Sequence, residues 1–329
     1  MLEVILMSNK ITILYLLDIL KRKTDEQHPL TSSELINEIY EASHHQITIE
    51  RKAIYRDIQT LIDYGHDILQ TRENNRRGYY YANSDFEVAE IRLLMDAVEA
   101  SSSISHKKSQ QLIQKLSKLV NEHNEKDLQW QINYTSNKSE NEHILYNVDT
   151  INQAIIHKQA ITFQYYDYDL NHKRIARKKS YQGIPYALTW DQDKYYCVLY
   201  IEKYQTFSNY RLDKMDHIQT QETNHIPLPF DTKEHLKNTM GMYKGQKTTI
   251  QLQCANNQTL ISHVFEKFGK DIIIQEITDT YFTIAVPVEI SPVFYGWLFQ
   301  WTPQIRILSP SDIKEHYHTM CSQALEKTE

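Results

Sequence analysis

Glycine is scarce, at 7 of 329 residues, and none of the seven is spelled into a dinucleotide fingerprint or a phosphate-cradling loop. That absence weighs against a nucleotide-handling enzyme. Cysteine is scarcer still: Cys197, Cys254 and Cys321 form an odd set, 57 and 67 residues apart, without the short spacing of a zinc site. Reduced thiols of a cytoplasmic chain are expected, with no disulfide and no metal site. No apolar run approaches the roughly 18 residues that span a bilayer, so no membrane partner is expected. The apolar opening Met1 to Met7 lacks the basic flank and cleavage site of a secretory signal. A positive surplus is missing as well, with 36 Lys and Arg against 42 Asp and Glu, which confines any nucleic-acid surface to a local patch. Catalytic spellings are also lacking. Of 15 histidines only His44-His45 and His316-x-His318 are near pairs, and neither has a companion motif. No enzyme activity and no cofactor are expected.

What is present begins with helical stripes. Apolar residues Ile13, Leu14, Leu16, Leu17 and Leu20 predict a first helix, broken by the polar stretch Lys21 to His28 and Pro29. Thr31-Ser32-Ser33-Glu34 spells a capping box, so a second helix is expected from Ser32 to about Glu41. Thr48 is placed to cap a third helix running to Tyr64 and stopped by Gly65. At 100° per residue Ile54, Ile58, Leu61 and Ile62 share one face of it, while Arg51, Lys52, Tyr55, Arg56 and Gln59 share the other. Those outer residue types suit DNA: Arg and Lys for phosphates or guanine, Tyr for phosphate, Gln for adenine. Two short strands, His66 to Gln70 and Gly78 to Ala82, would then flank a tip carrying Arg72, Arg76 and Arg77. Three helices and a basic-tipped hairpin describe a winged helix-turn-helix with its third helix in the major groove. A merely solvated helix is the rival reading, because residues 1–83 hold 10 basic against 12 acidic side chains.

Here the spelling Glu50-Arg51-Lys52-Ala53-Ile54-Tyr55-Arg56-Asp57-Ile58, followed by Leu61, Gly65 and Gly78-Tyr79-Tyr80, resembles the DNA-binding module of WYL-domain transcriptional regulators. Ala53 stands where that family usually has Thr, which removes one phosphate contact.

Ser84-Asp85-Phe86-Glu87 repeats the capping-box spacing before a helix expected over Phe86 to Ala100, and a further amphipathic helix is expected over Lys107 to His123. These read as a connector. Polar residues Asn124 to Asn141, with Trp130 and Tyr134 as anchors, read as a linker. After a short helix from Val148 to His157, strands are expected at Ile161 to Tyr166, Lys173 to Ser180, Tyr186 to Trp190, Lys194 to Ile201 and Thr206 to Tyr210. Five short strands suggest a small Sm or SH3-like β-barrel. Pro185-Tyr186-Ala187-Leu188, Tyr195-Tyr196-Cys197 and Tyr210-Arg211-Leu212-Asp213-Lys214-Met215 resemble the WYL domain itself, with Tyr195 for Trp and Cys197 for Leu in the name-giving triplet. The resemblance implies an effector-sensing module.

The basic and aromatic residues of this segment suit an anion with flat groups, a nucleotide or a short single-stranded nucleic acid. Lys179, Tyr181, Tyr186, Tyr195, Tyr196, Tyr210 and Arg211 are the expected effector-binding residues. Two alternatives stay open: the tyrosines are barrel core beside a basic strand edge, and Arg211 is a structural partner of Asp213. The remainder alternates as strand (Thr248 to Cys254), helix (Asn257 to Phe268), strands (Ile272 to Ile277, Tyr281 to Ile290), helix (Pro292 to Gln300), strand (Gln304 to Leu308) and helix (Ser311 to Leu325). This order predicts a ferredoxin-like unit and resembles the extension that follows many WYL domains, with Phe268-Gly269 and Gly296-Trp297-Leu298-Phe299 as signatures.

An α+β multidomain chain is therefore expected: a winged helix-turn-helix over 1–83, a helical connector over 84–143, a WYL effector domain over 144–230 and a ferredoxin-like domain over 231–329. The expected function is a ligand-controlled, sequence-specific regulator that binds double-stranded DNA as a homodimer. The rival reading is a nucleic-acid-processing enzyme or a scaffold tethered by the winged helix.

Overall fold

The computed structural model describes residues 2–73, 76–129, 138–171, 173–191, 193–238, 242 and 245–326, of which 2–9, 73, 76, 129 and 236–238 are described by backbone alone. It divides into two units, Met1–Glu142 and His143–Glu329.

The first unit opens with helices α1 (Leu2–Lys23), α2 (Ser32–Ala42) and α3 (Arg51–Tyr64). The capping box forms as spelled. Thr31 Oγ1 accepts from the Glu34 amide at 3.3 Å, and Glu34 Oε2 accepts from the Thr31 amide at 2.8 Å, an arrangement worth about 1 kcal/mol. Helix α3 starts later than expected. Its N-cap is Glu50 rather than Thr48, with no side-chain cap bond, and it ends at Gly65 in the left-handed region at φ 110°. Leu16, Ile19 and Leu20 of α1, Leu35 and Ile39 of α2, and Ile54, Ile58 and Leu61 of α3 close one core with Ile68, each burial contributing about 1.5 to 3 kcal/mol. Ile62 stays outside it, 38% exposed, because the stripe that meets α1 and α2 is narrower than the apolar arc.

Strands β1 (Ile68–Glu73) and β2 (Arg76–Tyr81) form an antiparallel hairpin. Leu30 adds a bridge to it, exchanging backbone hydrogen bonds of 3.0 and 2.7 Å with Tyr79. Next come α4 (Val88–Ala100), α5 (His106–Ser117) and α6 (Glu122–Gln129). Two expectations shift here. The box that caps α4 pairs Glu87 with Glu90 rather than Ser84 with Glu87. The single helix expected over Lys107 to His123 is two, since Asn121 turns the chain and its Oδ1 accepts from the Asn124 amide at 2.9 Å. The segment read as a loose linker is tied down where it is described: Lys138 Nζ donates to the carbonyls of Val98 and Ser101 and to Ser109 Oγ, and Asn141 is fully buried. Trp130 and Tyr134 lie outside the described residues.

The second unit begins with α7 (Ile144–Ile156), then strands β3 (Ala160–Tyr168), β4 (Arg174–Asp191), β5 (Lys194–Ile201), β6 (Thr206–Arg211) and β7 (Met215–Gln221). They form one antiparallel sheet in the order β6-β5-β4-β3-β7. Two expectations are corrected. Lys173 to Ser180 and Tyr186 to Trp190 are one 18-residue strand, whose first part pairs with β3 up to Gly183 and whose second part pairs with β5 from Ile184. Gly183 marks the exchange, where an added Cβ would lie 3.1 Å from the Tyr200 carbonyl. The sheet is also not a closed barrel, since β6 and β7 are its two edges, separated by a single 3-10 turn at Leu212–Lys214. Helix α7 covers one face of the sheet, burying Ile144, Ile151 and Ala154 against Ile161, Phe163, Cys197 and Leu199.

A helix not anticipated from the sequence, α8 (Thr232–Asn238), precedes the last segment, and Asp231 Oδ1 accepts from the Lys233 amide at 2.8 Å at its start. That segment contains β8 (Gln246–Ala255), α9 (Gln258–Phe268), β9 (Ile273–Ile277), β10 (Tyr281–Ile290), α10 (Pro292–Gln300), β11 (Ile305–Ser309) and α11 (Ser311–Glu326). Its four strands pair antiparallel in the order β11-β8-β10-β9. Among the described residues no helix is long and apolar enough to cross a membrane.

Candidate functional site

In the first unit α3 turns Ile54, Ile58 and Leu61 inward, which leaves Arg51, Lys52, Tyr55, Arg56 and Gln59 exposed together on the opposite face. Three cations, a phenol and an amide therefore share one helix surface. Short bonds set their directions: Arg51 donates to Ser33 Oγ, Tyr55 OH lies 3.2 Å from Ser32 Oγ, and Gln59 Nε2 donates to Asp63 at 2.9 Å. The hairpin stands beside this face, for the Tyr79 ring of β2 lies 6.3 Å from the Tyr55 ring. Arg72 and Arg77 face each other across the hairpin and are both exposed. Like charges directly opposite destabilise a strand pair unless an anion lies between them. The Arg76 side chain lies outside the described residues.

In the second unit the seven expected effector residues do not form one group. Successive strand residues point to opposite faces, so Tyr195 and Tyr196 part on β5, as do Tyr210 and Arg211 on β6. Lys179, Tyr181 and Tyr210 come together and line a cavity of about 430 Å³, with Lys203, Tyr204 and Glu202 on its other side. Behind them the Phe163, Tyr165, Tyr181 and Tyr210 rings pack at 5.2 to 6.4 Å. Lys179 Nζ sits 4.6 Å over the Tyr181 ring, and Arg177 donates to Tyr181 OH at 3.1 Å. Burial, and then the neighbouring Tyr181, push the Tyr210 phenol above its usual range, so at neutral pH it is a donor and not a base. Glu202 is the one carboxylate among the described lining residues.

The other expected effector residues serve elsewhere. Tyr186 accepts from the Leu228 amide at 2.8 Å, shares a 2.9 Å bond with His225 and packs on Phe207 and Phe230, so it anchors the segment leaving β7. Tyr195 stacks on Trp190 at 4.7 Å and, with Tyr186, lines a separate cleft beside α7. Tyr196 pairs across strands with Arg211. Arg211 grips Asp213 with two bonds, 3.1 and 2.6 Å, and the Asp213 side chain is only 4% exposed. Sequence reasoning missed Lys203, Tyr204 and Glu202, which sit on a 3-10 turn after β5 and which only the fold brings to the cavity.

Residues 146–220, which carry this cavity, match the family model described as WYL domain. The chain carries a WYL domain. Among solved structures the whole chain is similar to Proteasome accessory factor B/C (PafBC) of Arthrobacter aurescens, at 15% identity and a TM-score of 0.30, covering 97% of this chain and 49% of that one. It thus spans about half the length of that protein. It is also similar to a CRISPR Cas-related protein, at 14% identity and a TM-score of 0.34, covering 99% of this chain and 85% of that one. No curated protein matches. The WYL domain holds the Lys179, Tyr181 and Tyr210 wall on its β4 and β6 strands, and the helical face of α3 lies outside the matched residues.

Proposed function

We propose that the chain is a transcription regulator that binds double-stranded DNA through its first unit and a nucleotide-like anion through its WYL domain. The observation that carries the reading is the outer face of α3, where Arg51, Lys52, Tyr55, Arg56 and Gln59 are exposed together beside the arginine-bearing hairpin. We read α1 to α3 and the hairpin as a winged helix-turn-helix. In that fold the third helix enters the major groove and the wing follows the phosphates. The antiparallel order β11-β8-β10-β9 supports a ferredoxin-like reading of the last segment.

At the WYL domain, cations and ring faces line a cavity that holds one carboxylate, a composition suited to a phosphate joined to a base. Lys179, Tyr181 and Tyr210 make the contact, with Lys203 opposite. The chemistry we assign to this cavity is binding, by cations and ring faces.

Recovery of bound DNA from a fragmented-genome pool tests the reading. Wild-type protein enriches a defined sequence, and the Arg51→Ala, Lys52→Ala, Arg56→Ala triple variant does not. A folded wild-type protein that enriches nothing overturns it. Calorimetry with short single-stranded DNA and mononucleotides tests the cavity, with heat from wild type and none from Lys179→Ala, Tyr181→Ala.

A further inference from the structure

The first unit contains another cavity, of about 550 Å³, walled by the end of α1, the strand β2 and the residues that follow it, the start of α4 and the turn before α6. Its volume falls in the range of small-ligand sites, about 300 to 1,000 Å³. Tyr80, Tyr81 and Phe86 supply ring faces, and Phe86, Val88 and Leu119 leave apolar surface open there, 37 to 48% exposed. Among the described lining residues four are carboxylates, Asp25, Glu26, Asp85 and Glu87, against the single ammonium of Lys21.

Two of the four are committed. Asp25 accepts from the Gln27 and His28 amides and from Asn121, and Glu87 belongs to the cap of α4. Glu26 and Asp85 are exposed at the rim. One cation already rests on a ring here, for Lys21 Nζ lies 5.2 Å over Tyr81. Apolar walls with rings favour a flat organic body, and the carboxylate rim repels anions and attracts positive charge.

We propose that this cavity binds a small aromatic ammonium compound, its ring against Phe86 and Tyr80 and its ammonium at Glu26 and Asp85. The assignment is independent of DNA binding and of the WYL cavity. Calorimetry on the full chain tests it with tyramine, its neutral counterpart tyrosol and the anionic 4-hydroxyphenylacetate. Tyramine binds at one site, tyrosol about tenfold more weakly for want of the charged bonds, and the anion not at all. Phe86→Ala and the double variant Glu26→Gln, Asp85→Asn each weaken tyramine by about tenfold or more, while Tyr181→Ala leaves it unchanged. The rim pair is exposed, so the double variant reads the site even if Phe86→Ala misfolds. No heat with tyramine, equal affinity for tyrosol, or tyramine binding untouched in the rim variant overturns the proposal.

Discussion

Arg211 and Asp213 show what one pair of residues decides. With two guanidinium bonds spent on a nearly buried carboxylate, Arg211→Ala removes those charged bonds and lowers stability by about 2 to 4 kcal/mol. Urea denaturation measures it, and an unchanged midpoint would return Arg211 to the ligand site. Asp167 gives a pH signature. The bonds from Arg177, aided by Lys214 and opposed by slight burial, hold its carboxyl below the usual range. A lowered carboxylate contributes stability above its ordinary value of about 4 and loses it as pH falls through the folded value. Asp167→Asn therefore lowers Tm at pH 7, and the gap to wild type closes in acid. Asp167 carried no signal of its own in the sequence, whereas the Tyr, Arg and Lys residues of this segment were legible there as a set suited to a flat anion. Their sides were not, because a shift of one position along a strand reverses a side chain. The sheet accordingly scatters Tyr186, Tyr196 and Arg211 away from Lys179, Tyr181 and Tyr210.

Elements with local signals matched their spelling in part, since Thr48 does not cap α3 and Ser84 does not cap α4. Thr31 with Glu34 starts α2 and Gly65 stops α3, because caps are settled within a few residues of chain. Elements that depend on distant partners were harder to read. The long β4 runs through where a turn was expected because β3 and β5 hold its two parts, and nothing in 174–191 spells that. The hairpin carries a prediction of the same kind. Gly78 lies where β2 passes over Pro29, and an added Cβ would stand 2.7 Å from the proline ring. Gly78→Ala forces the Leu30 bridge apart, at about 1 to 3 kcal/mol, and loosens the hairpin beside α3. Amide exchange at Tyr79 speeds up if so, and native exchange rates would show that the contact yields freely.

At the scale of the molecule, one helix face reads only a few base pairs, so affinity for a genomic site calls for two copies on paired half-sites. Light scattering at micromolar concentration should give twice 39.1 kDa, and the recovered DNA should be approximately palindromic. A monomer on an asymmetric site contradicts this. The central claim, that α3 reads DNA while the wing holds its backbone, is tested most directly by titrating the recovered DNA and a scrambled duplex over a salt series. Wild type, Arg56→Ala and Arg77→Ala are compared. Arg77→Ala should weaken both duplexes alike and reduce the salt slope by about one. Arg56→Ala should cost about 1 to 3 kcal/mol on the recovered site and much less on the scrambled one. Binding by both variants indistinguishable from wild type at every salt concentration would contradict the account.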